Sequence, residues 1–380
     1  MALFIDIHVI QTVPPSNINR DDTGSPKSAF FGGVRRVRVS SQAWKRATRL
    51  GYASGLNTAD LGVRTKQAVE LLVTRMRDLS PDLDEVAASE RAVAVLTALG
   101  IKTEKKTTKT RQKAIDAGDA AVVHPSTEYL IFWSNRQLER LAELAIDNPK
   151  PTKREVAAVG DTEHGIDVGL FGRMVADDAD LNVDASVQVA HALSTHAAEI
   201  EQDYFTAVDD KNIGSNETGA GMIGTVEFNA ATLYRYATVN VDLLRKNLAG
   251  DNEATARAVE AFVRGFVLSM PTGKQNTFAN RTVPDGVIIA VRDDQPINLV
   301  GAFEEPVTLG DEVTSYVQGS AYRLVQQAHS VAEFAGSPRE YVVAASTPRA
   351  ADLSALGDLV TADELVSRVG HIVRGSQADG

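Results

Sequence analysis

Between Asn19 and Arg49 the chain reads NRDDTGSPKSAFFGGVRRVRVSSQAWKRATR. From Thr23 to Ala59 there is no Asp or Glu, but there are seven basic residues: Lys27, Arg35, Arg36, Arg38, Lys45, Arg46 and Arg49. The whole protein has a formal net charge of -11. Concentrating cations in one stretch of an acidic chain sets up a local field that suits an anion. A polyphosphate, meaning a nucleic acid, is the expected partner. The Arg36, Arg38, Lys45 and Arg49 group carries this reading most strongly; a solvated cationic face is the bland alternative.

Other constellations are weaker. His8 in the first apolar segment is a candidate general base for RNA cleavage, and Asp21 with Asp22 a candidate metal pair for nuclease work. The competing readings are a core histidine and turn-capping carboxylates. Gly219 to Gly224 matches G-x-G-x-x-G, but a dinucleotide site needs a strand before it and a helix after it. Here a polar loop precedes it and a strand is expected to follow. Gly273-Lys274-Gln275 resembles the end of a P-loop but lacks its upstream glycine and its Ser or Thr. His191 and His196 are spaced by five, whereas a zinc-binding helix wants four. No catalytic residue, resident metal or cofactor is therefore expected.

The elements that must position these residues follow from local patterning. Leu3–Ile10 alternates and is β-branched, which predicts a strand. Residues 11–33 are rich in Pro, Asn and Gly, which predicts a loop. Val34–Val39 predicts a strand with a cationic face. Ser40 or Ser41 then caps a helix to about Leu50, placing Lys45 and Arg49 on one side and free N–H groups at its start. Residues 60–160 are periodic and helical, with a basic run from Lys102 to Lys113. Ala185–Thr195 is a helix candidate, Glu201–Gly224 a protruding arm, and Val226–Val241 a strand. Asp251 or Asn252 caps an amphipathic helix that ends at Pro271. Val287–Val291 reads as a buried strand and Asp311–Ala328 as a helix. Thr361 and Glu364 form a capping box for the last helix, and the tail after Arg374 is expected to be loose. The order predicts an α+β fold with a ferredoxin-like core and two insertions.

Composition sets outer bounds. At 380 residues the chain has room for two or three domains, and 43% hydrophobic content fits a globular protein. It has no cysteine, so disulfides, thiolate catalysis and cysteine-ligated zinc are out. No apolar run is long enough for a membrane helix, and no signal peptide is visible, so a cytoplasmic location is expected.

Several pieces together resemble one family: LFIDIHVI, NRDD, FGGVRRVRVSSQAWKRATR, GRM, HALSTH, DYFTAVDD, GTVEF, YRYATVN and GKQNTFA, in that order. They are similar to the backbone subunit of Cascade, the type I-E CRISPR-associated antiviral surveillance complex (the CasC or Cse-type backbone family). The resemblance runs from about Phe4 to Phe303. It implies a hand-like molecule with an RNA-recognition-like palm (1–60, 181–196 and 225–375), helical fingers (61–180) and a thumb (197–224), followed by a short tail (376–380). It implies copies stacked head to tail along a CRISPR guide RNA, which is kinked at intervals and pairs with target DNA for interference. Large, small, guide-end-capping and guide-processing Cascade subunits are the further implied partners. Carried across by position, Arg20, Lys27, Gln42, Lys45, Arg49, Lys274 and Gln275 would hold guide phosphates. Ser40 lies at the same helix start, and Arg46 extends the helix's basic surface. Met174, next to Arg173, would abut the kinked nucleotide, and Phe205, Thr206 and Val208 would lie on the thumb. No catalytic chemistry is implied. An RNA-cleaving subunit on the same fold, using His8 or Asp21 and Asp22 with a metal, is the alternative.

Overall fold

The computed structural model describes residues 2–53, 55–104, 124–160, 164–174, 182–207 and 222–376. In chain order the strands are β1 (Phe4–Ser16), β2 (Ser28–Phe31), β3 (Val34–Val39), β4 (Gly62–Thr65), β5 (Thr103–Glu104), β6 (Ser126–Thr127), β7 (Ile131–Ser134), β8 (Val187–Val189), β9 (Ala192–Ser194), β10 (Glu201–Ala207), β11 (Met222–Asn240), β12 (Gly286–Arg292) and β13 (Glu340–Ala345). The chain divides into two units. The first comprises 1–54, 188–241 and 259–380; the second comprises 55–187 and 242–258. The protein is thus α+β, and Asp242–Ala258 belongs to the second unit, where the expectation from sequence groups it with 225–375.

The first unit is built on one sheet ordered β13-β12-β1-β11-β9-β3-β2, with β8 and β10 also paired to β11. β1 is antiparallel to both neighbours, with Ile7 opposite Ala237 on one side and Ile289 on the other. Both faces of β1 are covered: Ile5, Ile7 and Val9 are fully buried, and so is Asp6 between them. The face carrying Ile10, Tyr234, Tyr236 and Ile288 packs on the Tyr316–Ala335 helix through Val317, Ala321 and Leu324. On the opposite face the Arg235 guanidinium lies between the rings of Trp44 and Phe266, 3.8 and 4.6 Å from their centroids. Burial lowers its pKa to about 9. Trp44 belongs to the Ser41–Ala53 helix, which seats Trp44, Ala47 and Thr48 on its buried side.

The polar residues of β1 are sealed in pairs. Asp6 accepts from the Tyr236 hydroxyl at 2.9 Å and from the Ile297 N–H at 2.8 Å, and burial raises its pKa to about 6. His8 Nδ1 sits 2.9 Å from the Tyr234 hydroxyl, and burial lowers its pKa to about 3.

The second unit is mainly helical. The helices Ala68–Leu79, Glu85–Ala98, Asn135–Asp147 and Lys153–Gly160 share one apolar core, including Leu72, Met76, Leu96, Leu141 and Val156. Ser134 and Gln137 form a capping box, and Asp84 accepts from two backbone N–H groups at the start of the Glu85 helix. β4 pairs with β7, and β5 with β6. The basic run predicted from Lys102 to Lys113 lies outside the described residues beyond Glu104.

Several expectations change. The predicted 11–33 loop gives up its first part to β1, which runs to Ser16 with a shift in pairing between Val13 and Ser16, and its later part to β2. Pro14 and Pro15 sit where that irregular pairing no longer demands their missing N–H groups. The predicted helix over Ala185–Thr195 is instead β8 and β9. Leu193 pairs with both Tyr234 and Arg38, so the sheet's open edge outcompetes local helix propensity. The helix predicted from Asp311 begins at Tyr316 and runs to Ala335. No helix among the described residues is long and apolar enough to cross a membrane.

Candidate nucleic-acid interface

The 19–27 loop is stitched down before any ligand arrives. Asp21 Oδ1 accepts from the N–H groups of Thr23 and Ser25 at 2.9 and 3.0 Å, and from the Thr23 hydroxyl at 2.7 Å. The Thr23 hydroxyl is the largest cause holding its carboxyl below the usual value. Lys27 N–H donates to the Asn19 carbonyl, Arg38 N–H donates to the Lys27 carbonyl, and Ser40 N–H donates to Asn19 Oδ1 at 2.8 Å. These bonds bind the loop carrying Arg20 and Lys27 to β3 and to the start of the Ser41–Ala53 helix.

At that start, Ser40 Oγ accepts from Ala43 N–H at 3.4 Å, as a cap should. His191 Nδ1 is 3.3 Å from both the Ser41 N–H nitrogen and Arg38 Nη1. Accepting through Nδ1 places the ring proton on Nε2. Burial, then the charges of Arg38 and Lys27, lowers the histidine's pKa. An exposed imidazole thus stands with Lys27, Arg38 and the helix start. In the sequence His191 has only His196 for comparison, on a predicted helix that does not form. Its partners lie about 150 residues away, and only the β3–β9 pairing brings them near.

Along the helix, Gln42 and Arg46 are exposed while Lys45 and Arg49 are half-buried. Lys274 and Gln275 approach from another side. A side chain on Gly273 would lie 2.2 Å from the Ile18 carbonyl oxygen, so glycine lets this loop lie directly on the segment leading to Arg20. Lys274 holds a left-handed backbone at φ 51° and precedes the one-turn helix Gln275–Phe278. Arg20, Lys27, Arg38, Ser40, Gln42, Lys45, Arg46, Arg49, Lys274 and Gln275 are therefore all in the first unit, on β3, the Ser41–Ala53 helix and the loops beside them.

Two predicted contacts move inside. Arg36 is fully buried, and its guanidinium donates to the carbonyls of Phe31, Ser194, Phe303 and Glu304 at 2.7–3.2 Å. It anchors β3 and presents nothing to a ligand. The cationic face expected for this strand is split, because Arg36 points beneath the 303–304 segment while Arg38 reaches the rim. Arg173, in the second unit, is 4% exposed and donates to the Gly160 carbonyl at 3.0 Å, with its backbone paired to Val183. Met174 beside it is 79% exposed.

The arm is a hairpin whose strands β10 and β11 pair from Glu201 opposite Phe228 to Ala207 opposite Met222. Phe205 lies across Gly224, where a Cβ would come within 2.5 Å of its ring. That glycine serves packing. A strand, not a helix, contains it, so the dinucleotide reading loses its required context; Gly219 and Gly221 lie outside the described residues. Thr206 is exposed, and Tyr204, which shares its face of the strand opposite Phe205, is 62% exposed. Val208 lies outside the described residues.

The nuclease candidates fare differently. His8 is 2% exposed beneath the Tyr316–Ala335 side of the sheet, so it cannot reach an RNA strand. Asp21 and Asp22 stay on an exposed loop, with Asp21 already committed to its turn. Among the described residues no group of three His, Asp or Glu side chains could hold a metal ion.

Comparison with known proteins shows the family of this basic surface. Residues 5–368 match the family model described as CT1975-like protein. The chain belongs to the CT1975-like family. A solved chain described as "CRISPR RNA-guided surveillance complex, pre-nicking" is 34% identical with a TM-score of 0.83, over 97% of this chain and 99% of that one. Another, described as "CRISPR RNA-guided surveillance complex", is 30% identical with a TM-score of 0.73, again over 97% and 99%. No curated protein matches the sequence significantly. This CT1975-like protein is thus a CRISPR-associated, Cascade backbone-like chain. The family match also runs well past Phe303, where the recognisable motifs end. The later residues supply the helix and β13 that close the sheet.

Proposed function

We propose that this CT1975-like protein is a non-catalytic backbone subunit of a type I-E Cascade, copies of which stack along a CRISPR guide RNA. The observation that carries this reading is the convergence, on and beside the acid-free stretch from Thr23 to Ala59, of Arg20, Lys27, Arg38, His191 and a capped helix start. Lys45 and Arg49 extend it along the helix. Contacts of this kind hold phosphates and carry no sequence information; base pairing by the guide would supply specificity. On this reading the first unit is the ferredoxin-like palm, the second the fingers, and the β10–β11 hairpin the thumb whose Phe205 and Thr206 press on a guide. Met174 abuts the kinked nucleotide. Target DNA is reached through the guide, and the other Cascade subunits cap, process and flank it in the cytoplasm. Head-to-tail stacking is a heterologous contact that does not close, so guide length sets copy number.

The test is purification from cells transcribing a CRISPR array. The expected product is long particles containing RNA that RNase dissolves. Lys45→Glu with Arg49→Glu should lose the RNA while the protein stays folded; full retention in that variant overturns the site. Cleavage of labelled RNA in magnesium, abolished by Asp21→Ala, would overturn the non-catalytic reading.

A further inference from the structure

A groove of about 350 Å³ runs between the Ser41–Ala53 helix and the 269–281 segment, both in the first unit. Its apolar floor includes Ala43, Leu50, Met270 and Pro271, and Leu50 is 53% exposed there. Arg46 and Arg281 stand on its walls, and no carboxylate lines it. Among the described residues neither guanidinium has a hydrogen bond or ion pair. Ser269 also lines it: this side chain is 8% exposed, yet its Oγ has no partner among the described residues. Two idle guanidiniums above an apolar floor match the phosphates and the flat face of a nucleotide.

Continuity selects the occupant. At about 100° per residue, Arg46 and Leu50 continue the exposed arc of the helix past Gln42, on the flank away from Lys45 and Arg49. Gly273, which seats Lys274 and Gln275, forms the groove's other wall. The groove therefore opens between the two segments that already carry the proposed phosphate contacts.

We propose that this groove is a further nucleotide subsite for the guide RNA. Arg46 and Arg281 hold successive phosphates, and the apolar floor takes a base or sugar face. The proposal rests on the RNA-binding reading above and adds Arg281 to it.

The test uses full-length protein and a fluorescein-labelled oligouridine. Arg46→Gln with Arg281→Gln should lower the slope of log affinity against log salt by about 1.4, at about 0.7 per phosphate on a single strand. The Lys45→Glu, Arg49→Glu protein is the reference. If it loses RNA while the double arginine variant keeps wild-type affinity and slope, the groove proposal falls and the main site stands. If all the variants bind as wild type, both readings fall. If the arginine variant fails only to form particles, at unchanged RNA affinity, the groove meets a neighbouring chain and the proposal is overturned.

Discussion

Arg36 and Arg38 are two residues apart on β3, yet the structure assigns them opposite fates, and that contrast can be measured. Arg36→Met removes a fully buried guanidinium that donates to four backbone carbonyls, from Phe31 at one end to Glu304 at the other. Each carbonyl left unsatisfied costs about 1–3 kcal/mol, and breaking a buried charged network typically costs about 3–5 kcal/mol in all. Arg38→Gln removes two bonds of 3.3 Å at a half-buried rim, so it should cost less than about 1 kcal/mol. The chain has two tryptophans, with Trp44 in the first unit and Trp133 in the second. Urea unfolding followed by fluorescence in a Trp133→Phe background therefore reports the first unit. Arg36→Met should lower its midpoint sharply; at urea concentrations well below that midpoint its RNA affinity should keep the wild-type salt slope. Arg38→Gln should leave the midpoint nearly unchanged and reduce the slope by about 0.7. A stable Arg36→Met protein with a reduced slope would refute the assignment, because it would put Arg36 on the RNA.

Asp6 and His8 should pull acid stability in opposite directions. Burial raises the folded Asp6 pKa to about 6, so the native state takes up its proton first and gains about 3 kcal/mol as pH falls from above 6 to below 4. His8, lowered to about 3, resists protonation, so the native state loses up to about 5 kcal/mol as pH falls from 6.5 to 3. Denaturation midpoints should drop more steeply with acid in Asp6→Asn and less steeply in His8→Gln; identical profiles would contradict both burials. Gly224→Val should push Phe205 off β11, since even a Cβ would come within 2.5 Å of its ring. Limited proteolysis of the arm should accelerate, and adding Phe205→Ala should cancel that increment. Gly273→Ala should displace the Lys274 loop from Ile18 and weaken RNA binding about tenfold; wild-type affinity would mean the loop does not touch the strand.

Much of the first unit is written locally. The β-branched run at β1, the alternation of β3, the Ser40 cap and the apolar stripe of the Asn252–Leu268 helix each announce their element. β8 and β9 do not, because three residues are too few for a period to register. Their identity comes from pairing with β11 and β3. The site shows the same limit. The composition of 23–59 marks a basic surface, but it cannot say which arginine goes inward. That choice depends on carbonyls at Ser194 and Phe303, 158 and 267 positions away. His191 was missed for the same reason, since its meaning comes from Arg38 and Ser41. Arg173 was misplaced because a cation next to an exposed Met looks like a contact until its bond to the Gly160 carbonyl is seen.

The burial of Arg36 also bears on how a chain of net charge -11 can hold a polyanion. A buried guanidinium satisfied by neutral carbonyls adds rigidity to β3 without adding to the surface that counterions see. Of the seven cations in the acid-free stretch, Arg36 is buried, Arg35 lies over the Phe30 ring at 5.1 Å, and the other five line the loop, the strand rim and the helix. If those contacts are local, each copy needs to neutralise only its own short length of guide. The acidic remainder then disfavours nucleic acid elsewhere on the molecule. Binding by this arrangement should weaken with salt in proportion to the phosphates held per copy, irrespective of RNA sequence. A strong dependence on base identity in the isolated protein would mean that base edges, and not phosphates, are what the 23–59 surface recognises.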